Sequence, residues 1–217
     1  MTDIIDALGR IGLVPVVKVD NTDQALGMAR ALLEAGLPCA EITFRTTAAE
    51  ECIRLIAREF PDIITGAGTV LTPEQAQRAV NAGARYIVSP GFSPAVIEWC
   101  QAHTIPVMPG VATPTEIMMA LDKGISLVKF FPSEALGGVR MLEALGAVFG
   151  TVHFVPTGGV SAANLADYLK LPSVFAVGGS WMVSGKLLSA GAFAEVTRLS
   201  REAVGIVARA RPQGGAV

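Results

Sequence analysis

Short runs of β-branched and other apolar residues alternate along the chain with longer stretches in which apolar positions recur at helical spacing. Gly, Pro, Ser or Thr stands at each join. A period of two marks a strand and a period near 3.6 a helix, so the pattern predicts repeated βα units and a parallel sheet. Strands are expected at 13–18, 38–43, 63–68, 85–89, 105–108, 126–130, 153–156 and 173–177, and helices at 23–35, 48–59, 73–82, 94–102, 114–123, 139–149, 164–169 and from 192 onward. A short leading helix is expected at 3–10.

Local chemistry sharpens the helix ends. Thr72-Pro73, Ser93-Pro94 and Thr113-Pro114 each set a capping hydroxyl before a residue that needs no hydrogen-bond partner for its nitrogen. Gly36, Gly83 and Gly124 close the preceding turns, where a left-handed backbone is cheap only for glycine. Eight evenly spaced units with no long switch-point connection favour a closed α/β architecture, the TIM (β/α)8 barrel, over an open doubly wound sheet. The expected organisation is one domain over 1–210, with 211–217 as a flexible C-terminal tail.

Composition narrows the function classes. The 217 residues are 51% hydrophobic and 17% charged, with a net charge of −2, enough for a large core and without the basic run that nucleic acid requires. No apolar stretch reaches the roughly 18 residues of a membrane span, and Asp3 and Asp6 stand where a signal peptide would be basic, so a cytoplasmic location is expected. Cys39, Cys52 and Cys100 are far apart and read as buried thiols. His103 and His153 are isolated, so neither a metal nor a cofactor is expected.

In such a barrel the working residues lie where strands run into the following loops. Lys129 is the most informative, because it sits inside the apolar run Leu127-Val128-Lys129-Phe130-Phe131 with no acid near it in sequence. Desolvation favours the neutral form of an amine, and a neutral amine is what attack on a ketone requires. Strand alternation puts Lys129 and Phe131 on one face and Phe130 on the other. The competing reading is a strand-end lysine that reaches water or pairs with a distant carboxylate. Glu41, Thr43 and Arg45 alternate toward one side in the same way, making Glu41 a candidate proton shuttle and Arg45 a carboxylate grip; Glu41 and Arg45 forming a structural ion pair is the alternative. Thr157-Gly158-Gly159 and Gly178-Gly179-Ser180 follow the expected seventh and eighth strands, where backbone N–H groups commonly hold phosphate.

Six runs in one order, Glu41 to Thr46, Gly66 to Val70, Ser89-Pro90-Gly91, Val128 to Pro132, Pro156 to Gly159 and Gly178 to Trp181, resemble the bacterial 2-keto-3-deoxy-6-phosphogluconate (KDPG) aldolases over nearly the whole chain. The Lys-Phe-Phe-Pro run is the most specific. The resemblance implies a Schiff-base lyase in which Lys129 forms the imine and Glu41 moves protons. It places Arg45 and Thr69 at the keto-acid end, Pro90 and Phe131 in the walls, and Thr157, Gly158, Gly159, Gly178, Gly179 and Ser180 around a phosphate. It also implies a homotrimer, and a second activity on 4-hydroxy-2-oxoglutarate (KHG), yielding pyruvate and glyoxylate. Two other classes share parts of this pattern. A sugar-phosphate isomerase or epimerase would use the phosphate site without an imine, and a non-catalytic phosphosugar-binding barrel would have no use for Lys129 beside Glu41.

Overall fold

The computed structural model describes residues 2–212. A helix, α1 (Thr2–Ile11), leads into β1 (Leu13–Val17), and the chain then alternates: α2 (Thr22–Glu34), β2 (Cys39–Thr43), α3 (Ala49–Glu59), β3 (Ile64–Gly68), α4 (Pro73–Asn81), β4 (Ile87–Val88), α5 (Pro94–Ala102), β5 (Val107–Met108), β6 (Gly110–Val111), α6 (Pro114–Asp122), β7 (Leu127–Phe130), α7 (Gly138–Val148), β8 (His153–Pro156), α8 (Leu165–Leu169), β9 (Val177–Gly179), α9 (Gly185–Ser189) and α10 (Phe193–Ala210). Every ladder is parallel: one sheet runs β5-β4-β3-β2-β1-β9 and the other β6-β7-β8, together an α/β half-barrel. Residues of β1, β2 and β3 are buried throughout, as strands covered on both faces must be.

The expected caps are present. Thr72, Ser93 and Thr113 accept from the backbone N–H of Gln75, Val96 and Glu116, each with proline in the first turn, and Thr113 with Glu116 completes a reciprocal capping box. Gly36, Gly83 and Gly124 have φ of 75°, 107° and 71°, the left-handed turns that end α2, α4 and α6.

Three departures have physical causes. The expected fifth strand, 105–108, is paired at Val107–Met108, and a further strand, β6, follows beyond its expected end on the other side of Pro109, which has no N–H to give a ladder, although its carbonyl still accepts from Lys129 N–H at 2.9 Å. The expected eighth strand at 173–177 begins only at Val177, because 173–176 hold just one bridge, Phe154 to Val174. The one-turn helix α9 and the 3-10 turns Glu134–Leu136 and Trp181–Val183 are too short to register as periodicity. Arg211, the first residue of the expected tail, is anchored: its guanidinium donates to the carbonyls of Leu169, Val174 and Phe175, tying the end of α10 to α8. Residues 213–217 lie outside the described residues.

Inward positions on β3 are small because neighbouring strands send large groups across them. A Cβ at Gly66 would stand 2.2 Å from the Tyr86 ring, and one at Gly68 would stand 2.0 Å from Glu41 Oε1. Tyr86 is fully buried, so its ring has nowhere to retreat. Gly66→Ala is expected to destabilise the protein by about 1–3 kcal/mol through overpacking, read as a lower midpoint in urea unfolding. An unchanged midpoint would show that the ring yields without cost.

Candidate active site

β2 and β7 bring the two most informative residues together. Lys129 Nζ donates to Glu41 Oε1 at 3.1 Å, with the two side chains only 7% and 5% exposed. Lys129 is therefore not the lone amine its sequence neighbourhood suggested: its acid comes from a strand 88 positions earlier. Alternation accounts for the meeting. Glu41 stands opposite Gly66 in the β2–β3 register, and Lys129 stands between Gly110 and Val155. Small residues clear the ground on both sides, Gly68 under the carboxylate and Gly110 beside the lysine strand, where the backbone of Pro90 lies over Gly110.

Phe131 shares the face of Lys129, its ring centre 5.6 Å from Nζ and its edge open to solvent. Phe130 points the other way into the core, edge-on to Phe154 at 6.4 Å. The Phe131-Pro132 peptide is cis. Arg45 does not pair with Glu41. Its Nε donates to Thr43 Oγ1 at 3.0 Å, and that hydroxyl donates to the Val17 carbonyl at 2.9 Å, so the guanidinium is oriented by a chain of two hydrogen bonds from β1.

Arg45 lines one cavity of about 150 Å³ together with Val16, Phe131, Thr157, Gly158, Gly159, Val160, Gly178, Gly179 and Ser180. All six residues expected around a phosphate thus converge, with Arg45 and Phe131 at the same hollow and with Val16 and Val160 added. Val16 was legible as an inward position of β1, paired with Glu41; Val160 lies beyond any strand pattern. Gly178 and Gly179 lie inside β9 rather than after it. They are glycines for packing reasons as well, since a Cβ there would meet Thr157 Oγ1 at 2.2 Å and the Trp181 ring at 2.0 Å. Thr69 follows β3 with φ of 56°, a left-handed conformation that costs a non-glycine residue about 1–3 kcal/mol and tends to be kept at working sites. Lys18, at the end of β1, is exposed and bound to Asp20 at 2.6 Å.

The remaining chemistry is quiet. All three cysteines are buried and unpaired, and burial pushes the Cys52 thiol up to about 11, that of Cys100 up to about 12, and that of Cys39 further, which leaves little thiolate. A larger cavity, about 620 Å³, opens at the other end of the strands between α1 and α10, but no acid–amine pair lines it. A buried amine in contact with a carboxylate, beside an aromatic wall and a hollow lined by glycines and Arg45, can attack a carbonyl, shuttle a proton and hold an anion. In a crystal structure of Gly68→Ala the Glu41 carboxylate is expected to be displaced and its 3.1 Å contact with Lys129 broken. Persistence of that contact would show that Gly68 is not what makes room for it.

The chain resembles known proteins along almost its full length. The KDPG and KHG aldolase family profile matches residues 4–199. The 2-dehydro-3-deoxy-phosphogluconate aldolase of Treponema pallidum is 50% identical over 207 residues, covering 95% of this chain and 99% of the relative. The KHG/KDPG aldolase of Escherichia coli K12 is 45% identical over 192 residues, covering 88% and 90%. Among solved structures, the KDPG aldolase of Legionella pneumophila, with pyruvate captured as a covalent carbinolamine intermediate, superposes with a TM-score of 0.88 at 39% identity, covering 91% of this chain and 96% of that one. With a family profile spanning most of its length and relatives at this identity, the chain belongs to the KDPG and KHG aldolase family.

Proposed function

We propose that the protein is a Schiff-base aldolase that reversibly cleaves 2-keto-3-deoxy-6-phosphogluconate to pyruvate and D-glyceraldehyde 3-phosphate, and that it also acts on 4-hydroxy-2-oxoglutarate. The observation that carries this is the buried contact between Lys129 Nζ and Glu41 Oε1. The pyruvate carbinolamine trapped in the Legionella relative is the first covalent species such a mechanism needs.

In this reading the Lys129 amine attacks the C2 carbonyl, giving a carbinolamine that loses water to an iminium. Glu41 takes the C4 hydroxyl proton, the C3–C4 bond breaks, and its electron pair is held as an enamine while the aldehyde leaves. A proton returned from Glu41 to C3 restores the iminium, and water releases pyruvate and the free amine. At 3.1 Å the carboxylate is close enough to exchange a proton with the amine before attack and to wait beside the reacting carbons afterwards. Arg45 and Thr69 hold the keto acid, Pro90 and Phe131 shape the walls, and Thr157, Gly158, Gly159, Gly178, Gly179 and Ser180 surround the phosphate. Because Arg45 lines the same hollow as the glycines, it also places a cation within reach of the phosphorylated end.

The readings of architecture and assembly follow. We take 1–210 as a single (β/α)8 barrel, supported by the bridges Phe154–Val174 and Thr157–Gly178 that join the β8 and β9 segments, and by Pro109 alone separating β5 from β6. Met118, Met119 and Leu121 on α6 and Val148 at the end of α7 are apolar side chains open to solvent, and their exposure supports a homotrimer that buries them. No helix among the described residues is long and apolar enough to cross a membrane, and three unoxidised cysteines suit the cytoplasm.

Two measurements test these readings. Incubation with pyruvate and borohydride is expected to add one reduced pyruvoyl group at Lys129, and Lys129→Ala to abolish both the label and pyruvate release while the protein stays folded. A label on another residue, or turnover without Lys129, would overturn the mechanism. Sedimentation is expected to give three times the chain mass, and a monomer at micromolar concentration would remove the trimer.

A further inference from the structure

The Gly158-Gly159 turn is held from behind by three separate donors. The Thr157 carbonyl accepts from Ser133 N–H at 2.8 Å, the Gly158 carbonyl from Glu134 N–H at 3.0 Å, and the Gly159 carbonyl from the Asn164 side-chain amide at 3.3 Å. In a trans planar peptide the N–H points opposite to the C=O. Pinning these three carbonyls therefore turns the N–H groups of Gly158, Gly159 and Val160 the other way, and all three residues line the 150 Å³ hollow. The Gly158 N–H is drawn toward Gly178 by the Thr157–Gly178 bridge, whereas those of Gly159 and Val160 meet no acceptor among the described residues, and the positive φ of both glycines, 97° and 84°, is what lets the turn present them together.

A side-chain network stands directly behind this turn. The Cβ and Cγ of Glu134 lie 2.5 Å from where a Cβ on Gly159 would be, so the side chain is pressed against the turn. Its Oε1 accepts from the Tyr168 hydroxyl, which is also 2.9 Å from Ser133 Oγ. Tyr168 and Ser133 are fully buried. Burial, and then the Glu134 acceptor, push Tyr168 up to about 12, which keeps the phenol a donor at neutral pH. Ser133 and Glu134 come only four and five positions after Lys129, on the loop that carries Phe131, whereas Tyr168 belongs to α8. The network thus spans from the loop beside the amine to the helix behind the turn.

We propose that Glu134 and Tyr168 are positioning residues that set the distance between Lys129 and the Gly158-Gly159 turn, and so determine the preference for a phosphorylated over an unphosphorylated keto acid. The proposal rests on reading the hollow as the phosphate end of the substrate site. A phosphorylated substrate must reach the amine and the turn at once, so it feels any change in their spacing, whereas 4-hydroxy-2-oxoglutarate engages the amine end alone.

The test compares KM and kcat on KDPG and on 4-hydroxy-2-oxoglutarate for wild type, Tyr168→Phe, Glu134→Ala, Glu134→Gln and Ser180→Ala, each checked for folding by circular dichroism. Tyr168→Phe and Glu134→Ala are expected to raise KM for KDPG about tenfold, the scale of one lost hydrogen bond to a charged group. KM for 4-hydroxy-2-oxoglutarate should stay within about twofold, since it makes no contact that the lost bond supports. Glu134→Gln keeps the acceptor and is expected to retain the wild-type preference. If Tyr168→Phe raises both KM values equally, or neither, while Ser180→Ala raises only that for KDPG, the brace is wrong and the phosphate end is right. If Ser180→Ala also fails to discriminate, the phosphate-end reading falls and the proposal with it.

Discussion

Everything at the site depends on placing an ammonium and a carboxylate in contact inside an apolar interior. A buried charge without a partner costs several kcal/mol, and stripping one member from a buried pair costs about 3–5 kcal/mol. Replacing both by well-packed apolar groups is often neutral or better, so such a pair adds little to stability. The proposed chemistry gives the Lys129–Glu41 contact its reason, and small residues around it make room. Gly68 gives up its side chain so that the carboxylate has a place, and Gly66 does the same for Tyr86 one inward position below. The glycines of β3 are thus the negative image of its neighbours' side chains.

The second constraint is the spacing between the two ends of the site. β7 carries Lys129, Thr157 follows directly on β8, and adjacent strands stand about 4.8 Å apart, so Lys129 and the Gly158-Gly159 turn are near neighbours by construction. The loops above those strands could still drift. They are joined by backbone bonds from Ser133 and Glu134 to Thr157 and Gly158, and by the buried hydroxyls behind them. Arg45 is steadied in a similar way through Thr43 and the Val17 carbonyl, so its charge is delivered by β1 and β2 acting together. In the proposed reading, rigid strands supply the reacting groups and hydrogen-bonded loops fix where the far end of the substrate lies.

Much of this was legible in the chain itself. The helix starts at Thr72, Ser93 and Thr113 follow from two adjacent residues and needed no knowledge of the fold. The opposed faces of Phe130 and Phe131 follow from strand alternation alone. The order of the six short runs pointed to the family that the comparisons then established. The seams of the sheet were harder to read. The β9 segment slid toward its glycines, and pairing resumed past Pro109 as β6, because both depend on which neighbour supplies a ladder partner.

By itself the sequence determined the alternation of strands and helices, their caps, and which residue types face the strand ends, since these are local preferences written within a few consecutive positions. Only the tertiary structure decided that Lys129 meets Glu41 across 88 positions, that Arg45 turns to Thr43, and that Glu134 and Tyr168 close ranks behind Gly159. Those choices belong to the register between strands and to the volume left by missing side chains, and neither exists until distant segments of the chain have packed.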